Sequence, residues 1–220
     1  MNRYKTLIAA ATIMAAPCIA SAQNWDGLYG GLTIGYAFGD ATHTYSNGAP
    51  TGNSDPDGFL LGGFGGYGVQ SGTTVWALEM DLEYSDYSGS FVNTTGATSS
   101  GVVEGKWQGS IRGVLGFDGN LGGKPALYYA TAGWAIGKFD VNGGPSIPFP
   151  PVGGYSDSLN GWTAGVGIDW LLGPNTSLRI EYRHTDFGDT SGFLVPTYPS
   201  VNMPVDIDQD AIRVGVRMEF

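Results

Sequence analysis

From residue 28 onward much of the chain alternates between apolar and polar positions with a period of two, the signature of strands with two unlike faces. The clearest stretch is Val75 to Tyr84, where Trp76, Leu78, Met80, Leu82 and Tyr84 alternate with Ala77, Glu79, Asp81 and Glu83. In Gly105 to Phe117, Trp107, Ile111, Leu115 and Phe117 share one face, while Lys106, Gln108, Ser110 and Arg112 share the other. From Leu159 to Leu172, Trp162, Ala164, Val166, Ile168 and Trp170 oppose Thr163, Gly165, Gly167 and Asp169. From Thr176 to Gly188, Leu178, Ile180 and Tyr182 oppose Arg179, Glu181 and Arg183. The chain ends with Val214, Val216, Met218 and Phe220 facing away from Arg213, Gly215, Arg217 and Glu219. Three glycine-rich segments, Leu28–Phe38, Gly58–Val69 and Ala126–Lys138, follow the rule more loosely and bring the number of predicted strands to eight.

The connections alternate as well. The first is long (39–57), the second short (70–74), and the rest run long, short, long, short, long. The short links carry turn formers: Ser71-Gly72, Asp118-Gly119-Asn120 and Gly173-Pro174-Asn175. This asymmetry predicts an all-β, eight-stranded, antiparallel up-and-down barrel with long loops at one end.

Charge decides which face turns outward. The polar faces hold Glu79, Asp81, Glu83, Lys106, Arg112, Asp169, Arg179, Glu181, Arg183, Arg213, Arg217 and Glu219, and the central part of every apolar face is free of charge. A lysine or arginine facing lipid at mid-membrane would cost about 2–4 kcal/mol, so the apolar face is expected to meet lipid and the charged face to line the lumen. Trp76 and Tyr84 are eight residues apart on one outer face, as are Trp162 and Trp170, while Trp107 and Phe117 are ten apart. Eight residues of a tilted strand climb roughly 20 Å, close to the height of an apolar band between two aromatic girdles. A water-soluble barrel would bury the charged face's dozen ions under a surface of tryptophans, with several kcal/mol lost for each ion left unpaired.

The charges also suggest a register. Glu83 is expected to pair with Lys106, and Glu79 with Arg112 one diagonal step away. Arg179 with Glu219 and Glu181 with Arg217 share a single register, so Glu181 and Arg217 are expected within ion-pair distance.

Residues 1–22 read as a secretory signal peptide: Arg3 and Lys5, an apolar run from Leu7 to Ile19, then Ala20-Ser21-Ala22 as the cleavage site. The run is shorter than the ~20 residues of a spanning helix. Cys18 is the only cysteine, and Ala15-Ala16-Pro17 before it does not suit a lipidation site. The expected mature domain, 23–220, then has neither disulfide nor thiolate chemistry. With Arg3 and Lys5 removed, its charge becomes more negative than the whole chain's −10, which argues against nucleic acid as a partner. No later apolar run is long enough for a helical span.

The tail Arg213-x-Gly215-x-x-Met218-x-Phe220 resembles the assembly signal of bacterial outer-membrane barrels, with those four residues in its defined places. Trp25-Asp-Gly-Leu-Tyr-Gly-Gly-Leu-Thr-Ile-Gly-Tyr36, Ala77-Leu-Glu-Met-Asp-Leu-Glu-Tyr84, Trp162-Thr-Ala-Gly-Val-Gly-Ile-Asp-Trp170 and Leu178-Arg-Ile-Glu-Tyr182 extend the likeness over nearly the whole mature chain. Together they resemble the eight-stranded OmpA-like and opacity-type surface proteins, barrel domain only; Asp169 departs from the Glu expected there. The resemblance implies an outer-membrane protein with both termini periplasmic. Its implied partners are lipid, lipopolysaccharide, and the barrel assembly machinery through the C-terminal strand.

Other motifs are weaker. Gly63-Phe-Gly65-Gly-Tyr-Gly68 has dinucleotide-loop spacing, but a strand rather than a helix follows. Asp206, Asp208 and Asp210 resemble half a calcium loop, with Ala211 in place of its glycine and Arg217 in place of its bidentate Glu. No metal or other cofactor is expected. His184-Thr185-Asp186 places the histidine and the Thr185 hydroxyl on opposite faces, against serine-type nucleophilic catalysis. Pro145–Pro151 and Leu194–Pro204 are proline-rich and either form a recognition surface or pack over the barrel mouth.

The sequence thus points to a non-enzymatic outer-membrane barrel with a structural, surface-exposed role. The alternatives are a narrow channel, with inward Gly31, Gly35, Gly165, Gly167 and Gly215 leaving room for water; an adhesin or receptor acting through loops 39–57, 86–104, 139–157 and 189–208; and a lipid A-modifying enzyme.

Overall fold

The computed structural model describes residues 24–43, 53–93, 98–147, 154–190, 194–195, 198–202 and 205–220. The expected signal peptide, 1–22, lies outside the described residues, as do parts of all four long connections. Eight long strands form the wall: β1 (Gly27–His43), β2 (Asp57–Ser71), β3 (Thr74–Ser85), β4 (Thr98–Leu121), β5 (Lys124–Ile147), β6 (Tyr155–Gly173), β7 (Thr176–Asp189) and β8 (Val205–Glu219). Each pairs antiparallel with the next, and β8 pairs with β1 from Tyr29↔Glu219 to His43↔Val205, so the sheet closes with no free edge along its length. Closure satisfies every ladder of the wall internally.

Alternation places the side chains. On β3, Trp76, Leu78, Met80, Leu82 and Tyr84 stand exposed on the outer face, while Val75, Glu79 and Glu83 are buried inside. On β8, Ile212, Val214, Val216 and Met218 are exposed and Arg213 and Arg217 are buried. The end with short turns will be called lower and the end with long connections upper.

The strands overrun their predicted upper ends. β4 and β5 each have 24 residues, roughly 80 Å along the strand, about three times the Trp76–Tyr84 interval. Ser88–Asn93 continues β3 upward against β4, so residues 86–104 and 139–157 are partly strand rather than loop. Asn53–Ser54 pairs with Ala41 and Thr42 of β1, and Leu194–Val195 pairs with Tyr198–Asn202. The cause lies on the inner side: above the last outward apolar residues, Val103, Phe139, Val141, Val205 and Ile207 still point inward and are buried. A buried face keeps the ladder going where the outer face has already turned polar.

The β4–β5 turn also sits lower than Asp118-Gly119-Asn120. Those residues continue β4, and the chain reverses at Gly122-Gly123, both at positive φ (61° and 82°). Two consecutive positive-φ residues make the type I′ turn that matches the strand twist.

Candidate functional site: the barrel lumen

From the lower end upward, the lumen has three layers. Trp25, carried by the segment before β1, closes the lowest. It is fully buried, packs with Val75 and Leu127, and donates its Nε1–H to Asp118 Oδ1 at 2.9 Å. Its backbone N donates to Gln70 Oε1 at 2.8 Å, so one residue ties together two lower turns.

Above it lies a belt of five arginines and six acids. Arg217 bonds Asp169 (2.9 Å) and Glu219 (3.4 Å), and its guanidinium lies 3.8 Å from the Tyr29 ring centre and 5.1 Å from that of Trp25. Arg179 grips Asp169 with two bonds (2.8 and 2.9 Å), reaches Glu79 at 2.8 Å, and stacks on Phe64 and Tyr129. Arg112 meets Glu79 (2.5 Å), Asp81 (3.0 Å) and Glu181 (3.2 Å). Arg183 bonds Glu181 and Asp81, and Arg213 holds Glu83 with two bonds of 2.8 Å. Tyr129 donates to Glu181 at 2.8 Å.

Many of these bonds cross the lumen. Arg112 of β4 reaches Glu181 of β7; Arg179 and Arg183 of β7 reach Glu79 and Asp81 of β3; Arg213 of β8 reaches Glu83 of β3. Ions this buried are tolerated because every belt guanidinium meets at least one carboxylate.

Four details differ from the sequence expectation. First, Lys106 is not in the lumen. A β-bulge between Gly105 and Trp107 inverts the alternation, so Lys106 turns outward and meets Glu104 (2.9 Å) and Asp140 (3.7 Å) near the upper end. Second, Glu83 lies opposite Gln108 and takes Arg213 as its cation, while Glu79 is directly opposite Arg112. Third, Glu181 lies opposite Arg213, and Arg217 opposite Ser177. Neither Glu181–Arg217 nor Arg179–Glu219 is a pair, and the register differs by four residues along β8. An even slip keeps every side chain on its face, so Glu181 and Arg217 are both buried inside although they do not meet. Facing pairs mislead here because long side chains in a narrow lumen bond across it, and no tight turn fixes β7 against β8. Fourth, two of the inward glycines, Gly31 and Gly167, are filled by aromatic rings rather than left open for water. A Cβ on Gly31 would stand 2.7 Å from the Phe64 ring, and one on Gly167 would stand 2.5 Å from the Tyr129 hydroxyl. These two glycines are slots for the belt's aromatic rings, whereas Gly35, Gly165 and Gly215 face backbone and aliphatic side-chain atoms.

The uppermost layer is apolar. Leu60, Tyr87, Val103, Phe139, Val141, Leu159, Phe187, Val205 and Ile207 form one buried cluster, with Phe139 and Phe187 edge to face at 5.0 Å. Tyr87 swings in from the break between β3 and Ser88–Asn93 and reaches the Asp208 carbonyl at 3.4 Å. Trp25 and this aromatic lid were not singled out from sequence; the parity of Phe139 and Ile207 would have marked them had the strands been extended upward.

On the outer face, Trp76, Tyr84, Trp107, Phe117 and Trp162 are exposed and Trp170 is partly covered, its Nε1–H donating to the Leu121 carbonyl. Trp134, directly opposite Trp162, joins them. Above this rim, Tyr182 Oη donates to Asp210 (2.7 Å), His184 Nδ1 meets the same carboxylate (3.0 Å), and Trp162 donates to Asp186 (2.9 Å). Thr185 points inward to Thr163 Oγ1 at 2.9 Å, on the other side of the wall from His184. Asp206 lies opposite Asp189 and Asp208 opposite Asp186; partial burial, then these neighbouring carboxylates, raise both Asp206 and Asp208 above the usual range. Among the described residues no group of three or more His, Cys, Asp or Glu is arranged to hold a metal.

Comparisons with known proteins agree with this geometry. Residues 6–220 match the family described as outer membrane protein beta-barrel domain. The chain is 32% identical to a 22 kDa outer membrane protein of Rhizobium leguminosarum bv. viciae, over 92% of this chain and 81% of the relative. It is 30% identical to the 25 kDa outer-membrane immunogenic protein of Brucella canis, over 92% and 82%. In fold it is similar to the outer membrane protein OprG of Pseudomonas aeruginosa, with a TM-score of 0.54 and 15% identity over 89% of this chain and 96% of that one. Sequence match and closed barrel agree: the chain belongs to the outer membrane β-barrel protein family.

Proposed function

We propose that the protein is a non-enzymatic, non-conducting barrel that stiffens the outer membrane and carries surface-exposed connections on its upper end. The observation that carries this reading is the lumen. Trp25 closes its lower end, the ion belt its middle and the Tyr87–Phe139–Phe187 lid its upper end. An ion would have to disrupt buried pairs and part a packed apolar layer to pass. Reconstitution into planar bilayers tests it: no single-channel steps are expected, and steady conductance at neutral pH would overturn the non-conducting part.

The non-enzymatic reading is supported by the outer wall, where His184 and Asp210 face away from Thr185. Lipid and lipopolysaccharide are the partners of the apolar face and of the polar rim above it, with Trp76, Trp107, Phe117, Trp162, Trp170 and Tyr84 at its borders. The short turns and both chain ends belong on the periplasmic side, and the long connections outside. Protease treatment of intact cells should then cut only within the long connections. We also assign Arg213, Gly215, Met218 and Phe220 to recognition by the assembly machinery. Phe220 is 85% exposed, and Phe220→Ser is expected to lower outer-membrane levels more than it lowers stability in vitro. A deletion strain should leak through its envelope if the stiffening role is right.

A second reading, binding of an extracellular ligand through the upper connections, is favoured by one feature. The β3–β5 wall continues well above the outer apolar band and presents its polar outer face there. Relatives named immunogenic are consistent with such exposure.

A further inference from the structure

Between the ion belt and the aromatic lid lies a small cavity of about 10 Å³, room for a single water, bordered by Asp81, Gln108, Ser110, Thr163, Thr185 and Phe187. One of the lining residues, Thr185, is paired across the β7–β8 ladder with Gln209. Gln209 is 1% exposed and points into the lumen. Neither its Oε1 nor its Nε2 has a hydrogen-bond partner among the described residues. Its inward neighbours along β8, Ile207 and Ala211, are buried and apolar, so they offer none. A buried carboxamide without partners is costly, and in folded proteins such groups are nearly always satisfied by protein or by ordered water.

Thr185 supplies the other half of the site. Thr163 Oγ1 donates to the His184 carbonyl (3.0 Å), so in the Thr163–Thr185 pair (2.9 Å) the proton comes from Thr185. That leaves the lone pairs of Thr185 Oγ1 free to accept. Arg213 Nη1, two inward positions below Gln209, is a further buried donor without a partner among the described residues. The charges at the cavity wall already pair, Arg183 with Asp81 at 3.2 Å, so the space calls for a neutral occupant rather than an ion.

We propose that this cavity is a hydration site, in which one ordered water bridges the Gln209 carboxamide to Thr185 Oγ1 and onward to the polar wall. A bound water needs two to four polar partners, and Gln209, Thr185 and the belt below provide them. The lumen then holds a trapped water under a dry lid. Gln209 is the residue that anchors water beneath the apolar upper layer, to which Phe187, two residues beyond Thr185 on the same inward face, belongs.

The test uses the full barrel in detergent micelles. Nuclear Overhauser spectra should show a contact between the Gln209 side-chain amide protons and a slowly exchanging water, and Thr185→Val should abolish or weaken it. Gln209→Met, which keeps the shape and removes the polar atoms, should unfold at a lower temperature than the wild type because the water and Thr185 lose a partner. A dry site predicts the reverse: no water contact, and a Gln209→Met barrel that unfolds at a higher temperature because an unsatisfied amide has been removed. If Gln209→Met does not assemble, the wild-type spectrum decides, since absence of the water contact overturns the proposal by itself.

Discussion

The middle and the top of the lumen are lined by inward side chains of the same eight strands, yet they are held together in different ways. In the middle, four of the five arginines reach two or three acids and Arg213 holds one, often on strands that are not neighbours. At the top, aliphatic and aromatic groups fill the same bore with no charge among them. The comparison separates two ways of filling a narrow barrel. Ion pairs across the bore link specific strands and penalise any loss of a partner. An apolar layer excludes water and tolerates small changes of shape.

The largest effect should come from removing one ion of the belt. Glu181→Ala leaves Arg112 and Arg183 each short of a carboxylate, and breaking such a buried pair costs about 3–5 kcal/mol. Asp206→Ala, at the exposed upper rim, should change far less. Urea titration in lipid vesicles, read by the mobility difference between folded and boiled protein, compares the two; equal midpoints would mean that the belt is not holding the barrel. A double-mutant cycle sharpens the point by returning a clear coupling for Glu83–Arg213 and none for Glu181–Arg217, which lie at different heights.

Next should come the lower closure. Trp25→Phe keeps the ring and loses the bond to Asp118, a charged acceptor, at about 1.5–3 kcal/mol, nearer the lower figure because Asp118 is partly solvated. Unfolding midpoints check this, and a loss of less than half the lower figure would mean that the N-terminal segment merely rests against the turns. In the apolar layer, Ile207→Val should cost only about 0.5–1.5 kcal/mol. If it matched Glu181→Ala, the distinction between the two layers would fail.

The smallest effect concerns the acidic rim. Partial burial, then Asp206 and Asp186, hold the Asp208 carboxyl above its usual range, with His184 acting against them and Asp40 with them. Because the folded value lies above the unfolded one, the ionised form costs stability above that value, and the cost vanishes as pH falls through it. Asp208→Asn should therefore raise stability slightly at neutral pH and leave it unchanged in mild acid. A loss at neutral pH would show that Asp208 has a favourable partner.

Strand number and facing were legible in the alternation because a two-residue period survives any local detail: Glu79, Arg179 and Arg213 turn inward wherever their strands begin. Lys106 was misplaced because a bulge is a single extra residue with no mark in the hydrophobic pattern. The upper halves of β4 and β5 were missed because the outer face becomes polar at Glu104 and Asp140 while the inner face stays apolar, so a rule tuned to the lipid-facing side stops too early.

By itself the sequence determined a closed, outward-apolar barrel, since period two, charge segregation and alternating connection lengths are local properties that each strand carries alone. Which arginine meets which acid, and that Gly31, Gly66 and Gly167 receive the rings of Phe64, Tyr29 and Tyr129, was decided only by tertiary structure. Those contacts run across the bore between strands far apart in sequence, and their geometry exists only once the sheet has closed on itself.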